Sequence, residues 1–205
     1  VSDFPVSPDE IERIEILEGA AGRLFGSQAF SGAINVVTRK VVKNSLHADV
    51  AAGSYGTVGG GANIGLKTEG FTHFLSGNFT RSDGGTENSA FNLGNAFYNG
   101  TYKSHDIHAS WQTGLAAKEY GANTFYSAAY PNQWESNTRI FASAKAETQG
   151  KVHISPQISW IRSTDHFELI HRSSRGENFH RNDVFSFSVN AWTAYSGVGK
   201  STLLT

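Results

Sequence analysis

The sequence contains no cysteine, which excludes disulfide frameworks and thiolate metal sites. It also lacks any run of about 18 apolar residues, so no transmembrane helix is expected. Proline is scarce, with 4 in 205 residues. One of them, Pro156, sits inside a strand-like pattern, where it removes a ladder donor and marks a bulge or a locally unpaired point. Formal net charge is -1, so charge implies neither a nucleic-acid face nor a patch for anionic membranes, and no nucleic-acid partner is expected. Residues 1–9 show no basic n-region and no apolar h-region, so no secretory signal is read there. What is plentiful is glycine, with 22 residues, and aromatics at 12%, against a mean hydropathy of -0.34. A membrane β-barrel has this polar average, because only alternate residues face lipid while the interior stays wet.

Residues 11–39 read IERIEILEGAAGRLFGSQAFSGAINVVTR. Ile14 and Ile16 alternate with Arg13 and Glu15, the period of a half-buried strand. Gly19, Gly22, Gly26 and Gly32 punctuate a compact connection with a short helical candidate. Residues 33–37 form a β-branched apolar run that reads as a buried strand. It ends at Thr38, Arg39 and Lys40.

This stretch resembles the end of the plug domain of TonB-dependent outer-membrane receptors, whose pattern is I-E-R-I-E-V-L-x-G-P-x-x-x-L-Y-G-x-x-A-x-x-G-x-I-N-I-x-T. Ile11, Glu12, Arg13, Ile14, Glu15, Leu17, Gly19, Leu24, Gly26, Ala29, Gly32, Ile34, Asn35 and Thr38 match it. Ala20 stands where proline is usual, and Phe25 where tyrosine is commoner. The resemblance implies that residues 1–40 are the C-terminal part of a plug and residues 41–205 the first strands of the barrel. It therefore implies a fragment cut at both ends, in the bacterial outer membrane.

Past Lys40 the chain alternates in long ribbons. Strands are expected at 46–54, 57–67, 71–81, 91–102, 107–117, 138–148 and 152–169, then one in which Phe185, Phe187, Val189 and Ala191 oppose Ser186, Ser188 and Asn190, with a ninth begun after a turn at 196–199. On the strand at 71–81, Phe71, Leu75 and Phe79 share a face opposite Thr72, Ser76, Asn78 and Thr80. Ile107, Ala109, Trp111, Thr113 and Leu115 likewise oppose His108, Ser110, Gln112 and Gly114. Tight turns at 69–70, 104–106 and 149–150 face polar loops at 82–89, 118–137 and 171–182, the asymmetry of outer-membrane barrels. Strands of about 9–11 residues suffice to cross a bilayer at a tilt near 45°. A soluble β-sandwich is the alternative, but its strands average about 5–6 residues. The fold expected is therefore all-β, a partial, open transmembrane antiparallel barrel of eight to nine strands after an α+β plug remnant.

No enzyme chemistry is expected. Residues 194–201, AYSGVGKS, satisfy a loosened P-loop pattern ending in Lys200 and Ser201, but an amphipathic strand precedes them and no helix follows. His105 and His108 lie on a turn and strand start with no carboxylate to complete a ligand set, so no metal site is read there. No catalytic constellation and no cofactor is expected.

The loop 118–137 is different. Tyr120, Phe125, Tyr126, Tyr130 and Trp134 interleave with Asn123, Asn132 and Gln133, and exposed aromatics cost free energy unless they pack together or meet a ligand. Its run is similar to F-G-A-N-x-F-Y-x-x-x-Y-P-N-Q-x-E in Bacteroidetes-type receptors for cobalamin or iron chelates, with Tyr120 replacing phenylalanine. An interfacial aromatic girdle is the other reading of these side chains. His171, Arg172, Arg175, His180 and Arg181 put positive charge at the same rim, suited to an anionic chelate or to lipopolysaccharide.

The resemblance implies a receptor that takes up a scarce nutrient, such as an iron–siderophore complex or cobalamin, with outer-membrane lipid around it. The TonB energy-transducing complex is the partner, acting through a segment upstream of Val1. A complete barrel of this kind has about 22 strands and a plugged lumen. Arg13, Glu15, Glu18 and Arg23 are then candidates for polar contacts between plug and barrel wall. The alternative is a binding or adhesion barrel without active transport.

Overall fold

The computed structural model describes residues 6, 10–19, 32–39, 41–173 and 176–193, and all of its regular structure is strand. The short helical candidate after Gly19, Arg23, Arg175, the turn at 196–199, Lys200 and Ser201 lie outside the described residues. Two strands, β1 (Ile11–Glu18) and β2 (Gly32–Thr38), pair antiparallel with Ile16 opposite Ile34. The rest is one antiparallel sheet of eight strands: β3 (Ser45–Ala52), β4 (Val58–Lys67), β5 (Phe71–Ser82), β6 (Phe91–Lys103), β7 (Ile107–Gly121), β8 (Trp134–Thr148), β9 (Val152–Glu168) and β10 (Glu177–Thr193). Each strand pairs with its sequence neighbour, β3 and β10 are the edges, and the sheet is open.

Unbroken register extends the alternation of single strands to a whole face. Leu75 faces Ile64 and Tyr98, Leu115 faces Ala96 and Ile140, and Ile158 faces Ala144 and Phe187. Because side chains alternate with period two, these residues form one apolar surface, and much of it is exposed: Leu75 at 52%, Ile158 at 58%, Phe187 at 73%. The opposite face carries Asn63, Ser76, Asn78, Asn95, Asn99, Gln112, Lys145 and Gln157 and is polar. Ser76 Oγ, Asn137 Oδ1 and Ser155 Oγ are buried there without a hydrogen-bond partner, which marks this face as one suited to water or to another polar surface.

Connections differ at the two ends. Residues 68–70, 104–106 and 149–151 close tightly, whereas 83–90, 122–133 and 169–176 are longer. At the long end, the turn at 53–57 is short because Tyr55 and Gly56 both take positive φ, 59° and 63°, the conformation that matches strand twist in tight hairpins. The two outer loops are shorter than the sequence suggests. Lys118 to Gly121 pair with Asn137 to Trp134, and Glu177 to Asn182 pair with Glu168 to Ser163. These segments mix charged and amide side chains with single aromatics, Tyr120, Trp134, Phe167 and Phe179, and carry no sustained apolar face, so they lack the alternation that betrays a strand and the backbone ladder extends them.

Pro156 sits at a ladder end. The β8–β9 pairing stops at Lys145 opposite Gln157, so the missing proline N–H faces no β8 acceptor. Thr148 takes over further along, its hydroxyl accepting from the Ile154 amide at 2.9 Å and donating to Val152 O at 3.2 Å.

The expectation of a buried strand at 33–37 fails. Ile34 and its partner Ile16 are each 71% exposed, and Ile14 on the same face is 57% exposed. The unit meets the large sheet on the polar side through a different residue. Glu10, 2% exposed, accepts a hydrogen bond from Asn78 Nδ2 at 3.2 Å, and Asn78 also donates to Asn95 Oδ1. Val37, Thr38, Arg39 and Val41 then line a cavity of about 630 Å³ with Thr72, Asn99, Lys103, Lys145 and Glu147 of the polar face.

Candidate functional site

The long-loop end gathers most of the candidate residues. Loop 122–133 is tied to loop 83–90 by Asn88, whose Nδ2 donates to Pro131 O at 2.8 Å and Gln133 O at 2.7 Å. Asn123 answers with Nδ2 on Glu87 O at 2.7 Å. Gln133 is fully buried; its Oε1 accepts from the Tyr126 amide and its Nε2 donates to Ser127 O, both at 3.0 Å. A third loop joins through the His171 amide, which donates to Asn132 O at 2.8 Å. Asn123, Asn132 and Gln133 thus serve the loop scaffold, through side chains or backbone. Three loops behave as one docked unit.

The aromatics divide by exposure. Phe125 at 74%, Tyr126 at 57% and Tyr130 at 39% stand at the tip, with Phe125 edge-on to Tyr126 at 4.8 Å and Tyr126 edge-on to Phe167 at 5.0 Å. Tyr126 Oη donates to Glu135 Oε2 at 2.7 Å. That bond, then burial, pushes the Tyr126 phenol up to about 12. Tyr120 and Trp134, expected in the loop, are strand residues: Tyr120 pairs with Glu135 and Trp134 with Gly121. Trp134 stacks on His171 at 5.0 Å.

Below the tip, on the polar face, a cavity of about 230 Å³ is lined by Lys118, Glu135, Asn137, Arg139, Ser163 and Asp165 among others. Two cationic and two anionic side chains meet the buried Asn137 carbonyl there. Such a wall can orient a polar ligand by hydrogen bonds.

The basic rim separates. Arg172 lies in the 169–176 loop with φ 63°, its amide donating to Glu168 Oε2 at 2.7 Å. Arg181 is on β10, not in a loop, opposite Thr164 on the apolar face, and its Nε lies 3.4 Å from Asp183 Oδ2. Asp183 also accepts from Arg162 Nε at 2.8 Å and Trp160 Nε1 at 3.0 Å. His180 points to the opposite face.

Among the plug–wall candidates, Arg13 bonds Glu15 and Glu12 at 2.7 and 3.1 Å, and Glu15 accepts from Asn35 at 2.8 Å. Asn35, then Arg13, hold the Glu15 carboxyl below its ordinary range. Arg13 and Glu15 are therefore engaged within their own two-stranded unit, and Glu18 is exposed. Glu10 makes the contact to the sheet, and the sequence pattern gave no signal for it.

Sequence reading also passed over His166, Glu168 and Glu177, whose ligand atoms lie within 4.8 Å of one another. The available signal was His-x-Glu at 166–168, two side chains on one strand face; the third residue needs the β9–β10 register. No family model and no curated protein matches the chain.

Proposed function

We propose that this chain is part of a TonB-dependent receptor of the bacterial outer membrane, with β3–β10 as barrel wall and residues 1–40 as the end of the plug. The observation that carries the reading is the two-faced sheet. Its apolar surface is continuous over eight strands, its other face is polar, and the two-stranded unit sits on the polar face through Glu10 and Asn78. Tight turns at one end and docked loops at the other supply the orientation, with the loops outside the cell.

On this reading the ligand is an iron chelate or cobalamin-type nutrient. Phe125, Tyr126 and Tyr130 offer apolar contact at the rim, and the polar cavity at Lys118, Asn137 and Arg139 receives it below. Energy comes from the TonB complex pulling the plug. Contacts between plug and wall then have to hold at rest and break under load, and a few hydrogen bonds to charged groups suit this better than a wide apolar seam.

These 205 residues contain no cysteine, so single cysteines can be placed at Tyr126 in a long loop and at Glu69 in a tight turn of the intact protein, with any cysteine elsewhere in it replaced by serine, and expressed in its own cells. A membrane-impermeant maleimide should label Tyr126→Cys on intact cells and Glu69→Cys only after the outer membrane is opened. Labelling of Glu69→Cys on intact cells, or protein found outside the outer membrane, overturns the proposal.

A further inference from the structure

The geometry points to a divalent transition-metal site, of the zinc class, formed by His166, Glu168 and Glu177 at the foot of the β9–β10 loop. It stands apart from the transport reading and uses none of the ligand-contact residues proposed above.

Three observations converge. First, the donor set is assembled. His166 Nε2 lies 2.9 Å from Glu177 Oε1 and 3.7 Å from Glu168 Oε1, and all three ligand atoms fall within 4.8 Å of one another. Ligands about 2.0–2.2 Å from a tetrahedral zinc ion lie roughly 3.4 Å apart, so small side-chain rotations close the set. One imidazole and two carboxylates leave a fourth position open, and an imidazole favours zinc-class ions over calcium or magnesium.

Second, two of the ligands are held in advance. One oxygen of Glu168 accepts from His171 Nδ1 at 2.8 Å and from the Arg172 amide at 2.7 Å, which turns the other oxygen toward His166. The His166 ring is fixed edge-on by Trp134 at 5.5 Å and by Phe179 at 6.2 Å. Such outer partners are how proteins orient metal ligands. Glu177 is the exposed arm that closes.

Third, Glu168 and Glu177 are directly opposed across the β9–β10 ladder. Like charges at directly opposed positions destabilise a sheet, and the two histidines that face them, His166 and His171, offset that repulsion only when protonated. A divalent cation neutralises both carboxylates, and it would clamp both ends of the loop 169–176.

The test uses the intact protein purified in detergent, stripped with a chelator and titrated with Co²⁺, with Zn²⁺ as competitor. One saturable equivalent is expected, with visible ligand-field bands that Zn²⁺ removes. His166→Gln and Glu177→Gln should each abolish it, His171→Ala should weaken it by about 10–100-fold, and His180→Ala, on the other face, should leave it unchanged. In the unmutated protein Zn²⁺ should also slow proteolysis within 169–176, a readout that needs no variant to fold. Absence of saturable binding, binding that survives His166→Gln, or loss with His180→Ala overturns the site. So does calcium displacing Co²⁺ at equal concentration.

Discussion

Gln133 has no solvent exposure, and both ends of its amide bind the loop that carries it. Truncation to alanine leaves the Tyr126 N–H and the Ser127 carbonyl without those partners, a cost of about 1–3 kcal/mol per buried unmet group. Gln133→Ala should therefore loosen residues 122–133 while the sheet stays folded. Protease cleavage inside the loop should speed by about tenfold or more, since cleavage of a locally opened segment follows its opening free energy. Unchanged cleavage would mean the loop is held by its ties to loops 83–90 and 169–176, through Asn88, Asn123 and His171, and not by Gln133. Tyr126 gives a pH counterpart. Its phenol is raised to about 12 by the bond to Glu135 and by burial, so the folded loop favours the protonated form. The stabilisation is whole below the ordinary phenol value of about 10 and is lost as pH rises through about 12. Burial and the same Glu135 also raise the Tyr120 phenol, so ultraviolet titration should show two tyrosines ionising late, and Tyr126→Phe should delete one of these late steps rather than an ordinary one.

At the scale of elements, the end of β7 decides how the loops dock. Gly121 donates its amide to Ala90 O at 2.9 Å, and a Cβ there would lie 2.5 Å from Asn88 O. Since backbone cannot yield as a flexible side chain can, Gly121→Ala should push loop 83–90 off loop 122–133 at about 1–3 kcal/mol, the usual range for overpacking. Amide exchange at Asn123, bonded to Asn88 O, should accelerate while exchange in β5 and β6 stays slow. The sequence shows β5 and the lower part of β7 readily, because Phe71, Leu75, Phe79 and Ile107, Trp111, Leu115 recur against polar partners. It hides the tops of β7, β8 and β10. At Lys118, Glu119 and again at Asn178, His180, Asn182 there is no apolar face to set a period, and pairing alone makes the strand. The aromatic run at 120–134 is visible in the sequence, but not its division into exposed Phe125 and Tyr126, buried Gln133 and stacked Trp134. That division depends on contacts with residues 83–90 and 167–171, far away in the chain. His166 and Glu177 are separated for the same reason, since only register brings them together.

For the whole molecule, a meander in which every strand of the sheet pairs with its neighbour leaves, among the described residues, two edges, β3 and β10, with unpaired backbone groups. Water tolerates such edges, whereas hydrocarbon does not, so a lipid-embedded wall of this kind needs further strands to close it. The same setting assigns opposite tolerances to adjacent residues. Ile158 lies in the middle of the apolar surface, between Ala144 and Phe187, and Gln157 lies on the polar face. If the apolar surface meets lipid, Ile158→Arg places a charge in hydrocarbon and should cost about 2–4 kcal/mol, whereas Gln157→Arg faces the wet side and should cost little. Both positions are exposed in the open sheet, so in a water-soluble protein the two changes would be nearly equivalent. Denaturant unfolding of the intact protein in lipid vesicles measures the difference directly. A deficit confined to Ile158→Arg places lipid on that face; equal stability for the two variants would remove the membrane from the explanation of this sheet.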